Sequence, residues 1–184
     1  TVEVTTPAGM EHLSYDALIL APGAVAARPP IEGLNHPRVS TLRTVSDAIA
    51  LREAVDGDAR RAVVLGAGFI GLEAAEALAH RGLDVSIVEF APHILPPLEN
   101  EIAVRITGEL ERLGIDVHTG VAAQAITENA DGSGVLVALA DGSSIETDLV
   151  VLSAGVRPDT AVFEAAGVEC DRGAIIVDHY GRTN

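Results

Sequence analysis

The sequence predicts an α/β fold: a parallel sheet of short buried strands with helices on its faces, joined to a three-stranded antiparallel β-meander. Three observations carry this. Short runs rich in Val, Ile and Leu (62–65, 84–89, 115–118 and 149–152) are separated, over the first three, by stretches of helical periodicity. Residues 121–150 instead alternate apolar and polar, with turn signals at Asp131-Gly132 and Asp141-Gly142. The composition is 48% hydrophobic, mostly Ala, Val, Leu and Ile, with no Trp and few Tyr or Phe. Small and branched side chains of this kind fill the layers between helices and a buried sheet.

Taken in order, residues 1–6 read as a strand that Pro7-Ala8-Gly9 turns. A second apolar run, 17–21, ends at Pro22-Gly23, and residues 24–40 have the Pro and Gly content of a linker. Thr44 or Ser46 can cap a helix running to about Val55, which Asp56-Gly57-Asp58 stops. The buried strand 62–65 leads to a helix from Phe69 to Arg81, with Gly82 placed for a left-handed cap. Strand 84–89, a Pro-rich loop, a helix over 98–113 and strand 115–118 continue the rhythm. After the meander and strand 149–152, a short helix near 160–166 and a strand at 174–177 follow.

Between the first central strand and its helix lies Gly66-Ala67-Gly68-Phe69-Ile70-Gly71, a G-x-G-x-x-G pattern. Alone the pattern is weak. Here a strand precedes it, a helix opens inside it, and Glu89 ends the next strand about twenty residues on. Gly66 allows a sharp turn, Gly68 has no Cβ to keep a pyrophosphate away, and Gly71 lets the helix lie close to the sheet. Unpaired N–H groups of the first helical turn would then face the phosphates. The reading is a Rossmann-like dinucleotide site; a glycine turn serving only close packing is the plain alternative. Glu89 is expected to accept hydrogen bonds from the adenine ribose. A 2'-phosphate about 4 Å from that carboxylate would be repelled by about 4 kcal/mol at an effective dielectric of 20. Phe90, Ala91 and Pro92 follow, and His93 is the only possible cation between Asp84 and Leu98, so NADH is expected over NADPH. Phe69 and Glu73, four apart, share a helix face that could run toward the nicotinamide, and Gly155 ends another strand where a backbone can approach a ligand. A core Phe, a solvated Glu and an ordinary strand-end turn are the alternatives.

The rest of the sequence excludes more than it offers. A net charge of -15 opposes nucleic acid and anionic membranes as partners. Cys170 is the only cysteine, so there is no intrachain disulfide or Cys-x-x-Cys motif, and it reads as a small apolar filler. The His residues are scattered, which argues against a metal site. Neither a G-x-S-x-G elbow nor a Walker lysine is present. With no signal-peptide pattern and no apolar run of roughly 20 residues, the expected compartment is cytoplasmic.

The chain resembles the pyridine nucleotide-disulfide oxidoreductases, FAD enzymes with two dinucleotide-binding domains, and within them the CoA-disulfide reductase and NADH oxidase/peroxidase branch. Four stretches carry the likeness: Tyr15 to Ala24, Thr41-Leu42-Arg43-Thr44 with Asp47-Ala48, Val64 to Glu73, and Ser153 to Asp159 continuing through 173–178. The resemblance implies that Phe69 covers a nicotinamide pocket, that Glu73 approaches the carboxamide, and that Gly155 and Val156 lie near the nicotinamide half. The implied cofactor set is Gly66, Ala67, Gly68, Phe69, Ile70, Gly71, Glu73, Glu89, Phe90, Gly155 and Val156, with no catalytic residue in this chain. No FAD fingerprint precedes residue 66, and Cys170 is misplaced for the family's redox cysteine. Residues 37–159 are therefore expected to be an NAD(H)-binding domain, and 1–36 and 160–184 remnants of a flavin domain. The parent would carry FAD, form a homodimer, and pass hydride from NADH to flavin and on to a disulfide, oxygen or peroxide. Alternatives are the NAD domain of a ferredoxin- or rubredoxin-type reductase, or a non-enzymatic NAD(H)-sensing module.

Overall fold

Strand propensity and burial coincide closely at residues 61–65, and the rest of the main sheet is laid around that strand. A computed structural model describes residues 1–184. The first elements are β1 (Val2–Thr6), β2 (Gly9–Leu13), β3 (Ala24–Ala26) and β4 (Val39–Thr41). The βα alternation runs α1 (Val45–Asp56), β5 (Arg61–Leu65), α2 (Phe69–His80), β6 (Asp84–Glu89), α3 (Asn100–Arg112) and β7 (Asp116–Thr119). The meander comprises β8 (Ala123–Glu128), β9 (Val135–Leu139) and β10 (Ser144–Thr147). The last elements are β11 (Leu149–Leu152), β12 (Val156–Pro158), α4 (Ala161–Ala165), β13 (Cys170–Asp171) and β14 (Ala174–Ile175).

Two compact units result, one of residues 25–157 and one of residues 1–24 with 158–184. In the larger, five parallel strands are ordered β4-β11-β5-β6-β7. Strand alternation divides the core. Ala62, Val64, Val85, Ile87, Leu149 and Val151 face one side and bury Leu51 and Val55 of α1, Ala74, Ala75 and Leu78 of α2, and Ala103 and Leu110 of α3. Val63, Leu65, Val88, Val150 and Leu152 face the other side, against Ile126, Val135, Val137 and Leu139 of the meander. The helices thus share a single face, because the meander takes the place a second helical layer would occupy. Fully burying each such Val, Leu or Ile side chain contributes about 1.5–3 kcal/mol.

Local chemistry sets the element ends. Thr44 caps α1 in a reciprocal box: its hydroxyl accepts the Asp47 N–H at 3.1 Å, and the Asp47 carboxylate accepts the Thr44 N–H at 3.0 Å. The two meander turns close through Asp131 and Asp141, whose carboxylates accept the N–H groups of Ser133 and Ser143 at 3.0 and 2.9 Å. Asp148 fastens the meander to the sheet. It accepts the Arg60 and Arg61 N–H groups, each at 2.9 Å, and the Arg61 guanidinium at 2.9 Å. Burial alone would raise the Asp148 carboxyl, but the Arg61 guanidinium and the two backbone donors outweigh it and hold the group below its ordinary value.

Residues 24–40, read above as linker, do more than connect. Val39–Thr41 forms the edge strand β4, paired with β11. Glu32 bridges to the meander, donating its N–H to Gln124 O at 3.0 Å and accepting the Ile126 N–H at 2.8 Å. The approach is so close that a Cβ on Gly33 (φ +80°) would stand 1.9 Å from Ile126 O. A three-residue Val-Ser-Thr strand has no periodicity to announce it, which is why composition alone pointed to a loop.

In the smaller unit, β1 and β2 form an antiparallel hairpin, and β13 pairs with β14. The second arm of the hairpin, Gly9–Leu13, is fully exposed and carries no strand signal in the sequence. The apolar run 17–21 forms no strand; Leu18 and Ile19 are exposed, Ile19 by 90%. No helix of either unit is long and apolar enough to cross a membrane.

Candidate functional site

The C-terminal ends of parallel strands are where a doubly wound sheet opens, most of all where consecutive connections leave in opposite directions. Here β5, β6 and β7 step one way across the sheet, while β11 and β4 lie on the other side of β5. A cleft of about 930 Å³ opens at that switch, within the size range of ligand sites. Its floor is Leu65, Gly66, Val88, Glu89, Leu152 and Ser153. One wall comes from Ala26 and Pro29–Ile31, another from Val121–Gln124.

The glycine corner has the form its sequence requires. Gly66 has φ +107°, and a Cβ there would stand 2.5 Å from Ser153 O. A Cβ on Gly71 would stand 2.0 Å from Gly66 O, so the third glycine lets α2 sit against the end of β5. At Gly68 an added Cβ would meet nothing. The space above the second glycine belongs to the cleft, which is the room a pyrophosphate needs. Gly68 is the N-cap of α2; no side chain caps the helix, and no acidic residue lies in its first turn. The leading N–H groups of α2 are therefore left for a ligand.

Glu89, at the end of β6, lines the same cleft. Its two oxygens accept the Ala67 N–H and the Ala91 N–H, each at 2.7 Å. Each carboxylate oxygen retains a second lone pair for a ribose hydroxyl. The carboxylate thus reaches back to the glycine corner, a tie that spacing along the sequence could not reveal. The loop after β6 also supports the corner from below: Leu95 donates its N–H to Ala67 O at 2.8 Å, and Ile94 is fully buried. His93 is not among the cleft residues; its Nδ1 lies 2.8 Å from Ile94 O.

Of the residues proposed from sequence, Gly66, Gly68, Phe69, Ile70, Glu89, Phe90, Gly155 and Val156 come together on the cleft wall. Phe69 is 65% exposed and Phe90 79%, so neither is a core aromatic. Ala67 and Gly71 are buried beneath the corner, where they shape it without lining it. Glu73 is exposed on α2 and does not line the cleft. Several lining residues lay outside the sequence reading: Leu42 and Arg43 after β4, Pro29–Ile31, Val121–Gln124, Ser153 and Ala154. Tertiary closure brings them there, and apart from the Leu42-Arg43 and Ser153-Ala154 likenesses no local motif marks them. Cys170 lies in β13; burial and the neighbouring Glu164 carboxylate push its thiol up, so it stays protonated and poorly nucleophilic.

Residues 1–184 match the family described as pyridine nucleotide-disulphide oxidoreductase. The chain is 40% identical over 174 residues to the large subunit of an NAD(P)H nitrite reductase from Klebsiella oxytoca, covering 92% of this chain and 18% of that protein. It is 36% identical over 175 residues to a rubredoxin-NAD(+) reductase from Alcanivorax borkumensis, covering 95% and 45%. Among solved structures, it superposes on an NAD-dependent persulfide reductase from A. fulgidus with a TM-score of 0.91 at 36% identity, covering 98% of this chain and 34% of that one. The chain spans less than half the length of each of these proteins. With the sheet, the glycine corner and the family match all agreeing, the chain belongs to the pyridine nucleotide-disulphide oxidoreductase family.

Proposed function

We propose that residues 25–157 form an NADH-binding domain of an FAD-dependent oxidoreductase, and that the smaller unit is part of its flavin domain. The observation that carries this is one cleft holding both halves of a dinucleotide grip. An open Gly68 stands over the uncapped start of α2, and the Glu89 carboxylate lies one strand away. In this reading the α2 amides hold the pyrophosphate, Glu89 accepts from the adenine ribose, and Gly155 and Val156 border the nicotinamide half. Phe69, exposed at the mouth, covers the nicotinamide and shields it from water. When bound, NADH supplies a hydride that the parent protein's FAD accepts.

The electron acceptor of the whole protein is proposed to be a disulfide, oxygen or peroxide. The rubredoxin-NAD(+) reductase relative supports a second reading, in which electrons leave through a small redox protein. Relatives named for nitrite, rubredoxin and persulfide share this region, so the acceptor's chemistry is set outside it. The parent is proposed to be a homodimer. The test is calorimetric titration of the 184-residue chain with NADH and NADPH. NADH is expected to bind, with NADPH weaker by up to about a thousandfold from the Glu89 repulsion. Equal affinities would refute the assignment of Glu89, and a folded chain that binds neither would refute the site. The chain alone is expected not to reduce added flavin.

A further inference from the structure

The cleft is lined by four residues whose side chains carry charge or hydrogen-bonding capacity: Arg43, Glu89, Gln124 and Ser153. Glu89 only accepts; Arg43 follows β4, and Gln124 lies at the start of β8. Ser153 is at the corner itself. Its N–H donates to Leu65 O at 2.8 Å, which holds the end of β11 against the end of β5. Its carbonyl oxygen would lie 2.5 Å from a Cβ on Gly66, and its Oγ 3.3 Å from a Cβ on Gly71. The Ser153 backbone is therefore next to the first glycine and its hydroxyl next to the third. The hydroxyl has no hydrogen-bond partner within the protein. No enclosed side-chain polar atom of the chain lacks a partner, so this unbonded hydroxyl is open rather than entombed. A half-buried, unbonded hydroxyl on the floor of a ligand cleft is available to donate to a group that enters the cleft.

We propose that Ser153 is a pyrophosphate-binding residue whose hydroxyl donates to a phosphate oxygen held at the glycine corner. The proposal rests on the NADH-binding reading above and adds a side-chain donor to the amides of α2. Its chemistry suits the setting. A neutral donor carries no charge to desolvate, and it supplements the bare amides of α2. A hydrogen bond to a charged acceptor of this kind is worth about tenfold or more in affinity.

The test is Ser153→Ala in the 184-residue chain, titrated with NADH, ADP-ribose and adenosine. The first two carry a pyrophosphate and the third does not. The expected result is about tenfold weaker binding of NADH and ADP-ribose, with adenosine binding, followed by chemical-shift changes, unaltered. The melting temperature is expected to hold, because the substitution removes no protein hydrogen bond. NADH affinity equal to that of the unsubstituted chain would overturn the role of Ser153 while leaving the site reading intact. A loss that extends equally to adenosine would also overturn it, since that pattern marks a general distortion of the cleft. An unsubstituted chain that binds no NADH would overturn both.

Discussion

Replacing Glu89 by Gln tests whether that side chain only grips a ribose or also builds the cradle. Its carboxylate accepts two backbone N–H groups at 2.7 Å, from Ala67 inside the glycine corner and from Ala91 beyond β6. Glutamine offers one oxygen and one NH2 group, so one of those two amides must face a donor. Ala67 is fully buried, and an orphaned buried N–H costs about 1–3 kcal/mol. At 1.4 kcal/mol per tenfold, the amide that loses its partner should exchange with solvent about 5- to 100-fold faster in the unliganded chain. Hydrogen exchange read at Ala67 and Ala91 measures this directly. The same substitution removes the repulsion of about 4 kcal/mol toward a 2'-phosphate. Loosening the corner returns part of that gain, so NADPH should improve by well under a thousandfold, while NADH weakens by about tenfold or more. Unchanged exchange at both amides would refute the cradle role. An NADH affinity unaffected by Glu89→Gln would refute the ribose contact as well.

Three further substitutions separate the roles of the corner and its supports. Gly66→Ala places a side chain at φ +107° and 2.5 Å from Ser153 O, so the expected result is destabilisation of more than about 2 kcal/mol, measured by denaturant unfolding. Gly68→Ala meets no protein atom, so its melting temperature should hold while NADH binding falls steeply in calorimetry. Asp148→Asn can keep its one oxygen on the Arg60 and Arg61 amides, which share a single carboxylate oxygen, but it sets an NH2 group against the Arg61 guanidinium and should cost about 1–3 kcal/mol at neutral pH. Because the Asp148 carboxyl is held below its usual 3.8, its stabilising effect is complete above that value and disappears as pH falls through the lowered one. The variant's stability should therefore converge on that of the parent chain in acid, and a gap that stays constant below pH 3.8 would refute the assignment.

The parts of this fold legible in the sequence are those where one residue type has one steric meaning. Gly66 and Gly71 had to be glycine because backbone oxygens stand 2.5 and 2.0 Å from where a Cβ would be, and that requirement shows as a motif. The buried strands were legible because Val63, Val64, Ile87 and Val150 are enclosed on both faces and read as unbroken apolar runs. The single-sided helical layer was not, since α2 and α3 bury the same kinds of side chain whichever face they cover. The cleft walls were hidden for a related reason. Pro29, Pro30 and Ile31 have loop composition, and only the Glu32 bridge to Ala125 makes them a wall. The run 17–21 is the opposite case. It has a buried strand's composition, yet Leu18 and Ile19 are exposed and no strand pairs there, because composition states what a segment would bury and not what is present to bury it.

An acidic chain that binds an anion must solve the problem locally, and the cleft shows how. The net charge is -15, and every cationic side chain other than His is an arginine. A diphosphate approaching this surface is repelled at long range, but screening over about 10 Å in 0.1 M salt removes most of that penalty. At contact, what counts is the set of donors at the corner. The amides at the start of α2 carry partial charges fixed by the backbone, so they need no reorganisation when the ligand arrives, and the proposed Ser153 donor adds to them. The one carboxylate close by, Glu89, is engaged with the Ala67 N–H and so faces the corner through a hydrogen bond rather than as a bare charge. Neutral donors for the diphosphate and a carboxylate for the sugar favour the nucleotide with the least added charge. If Glu89 grips the ribose as proposed, a preference for NADH is built into the corner, and raising the ionic strength should narrow the gap between NADH and NADPH without closing it.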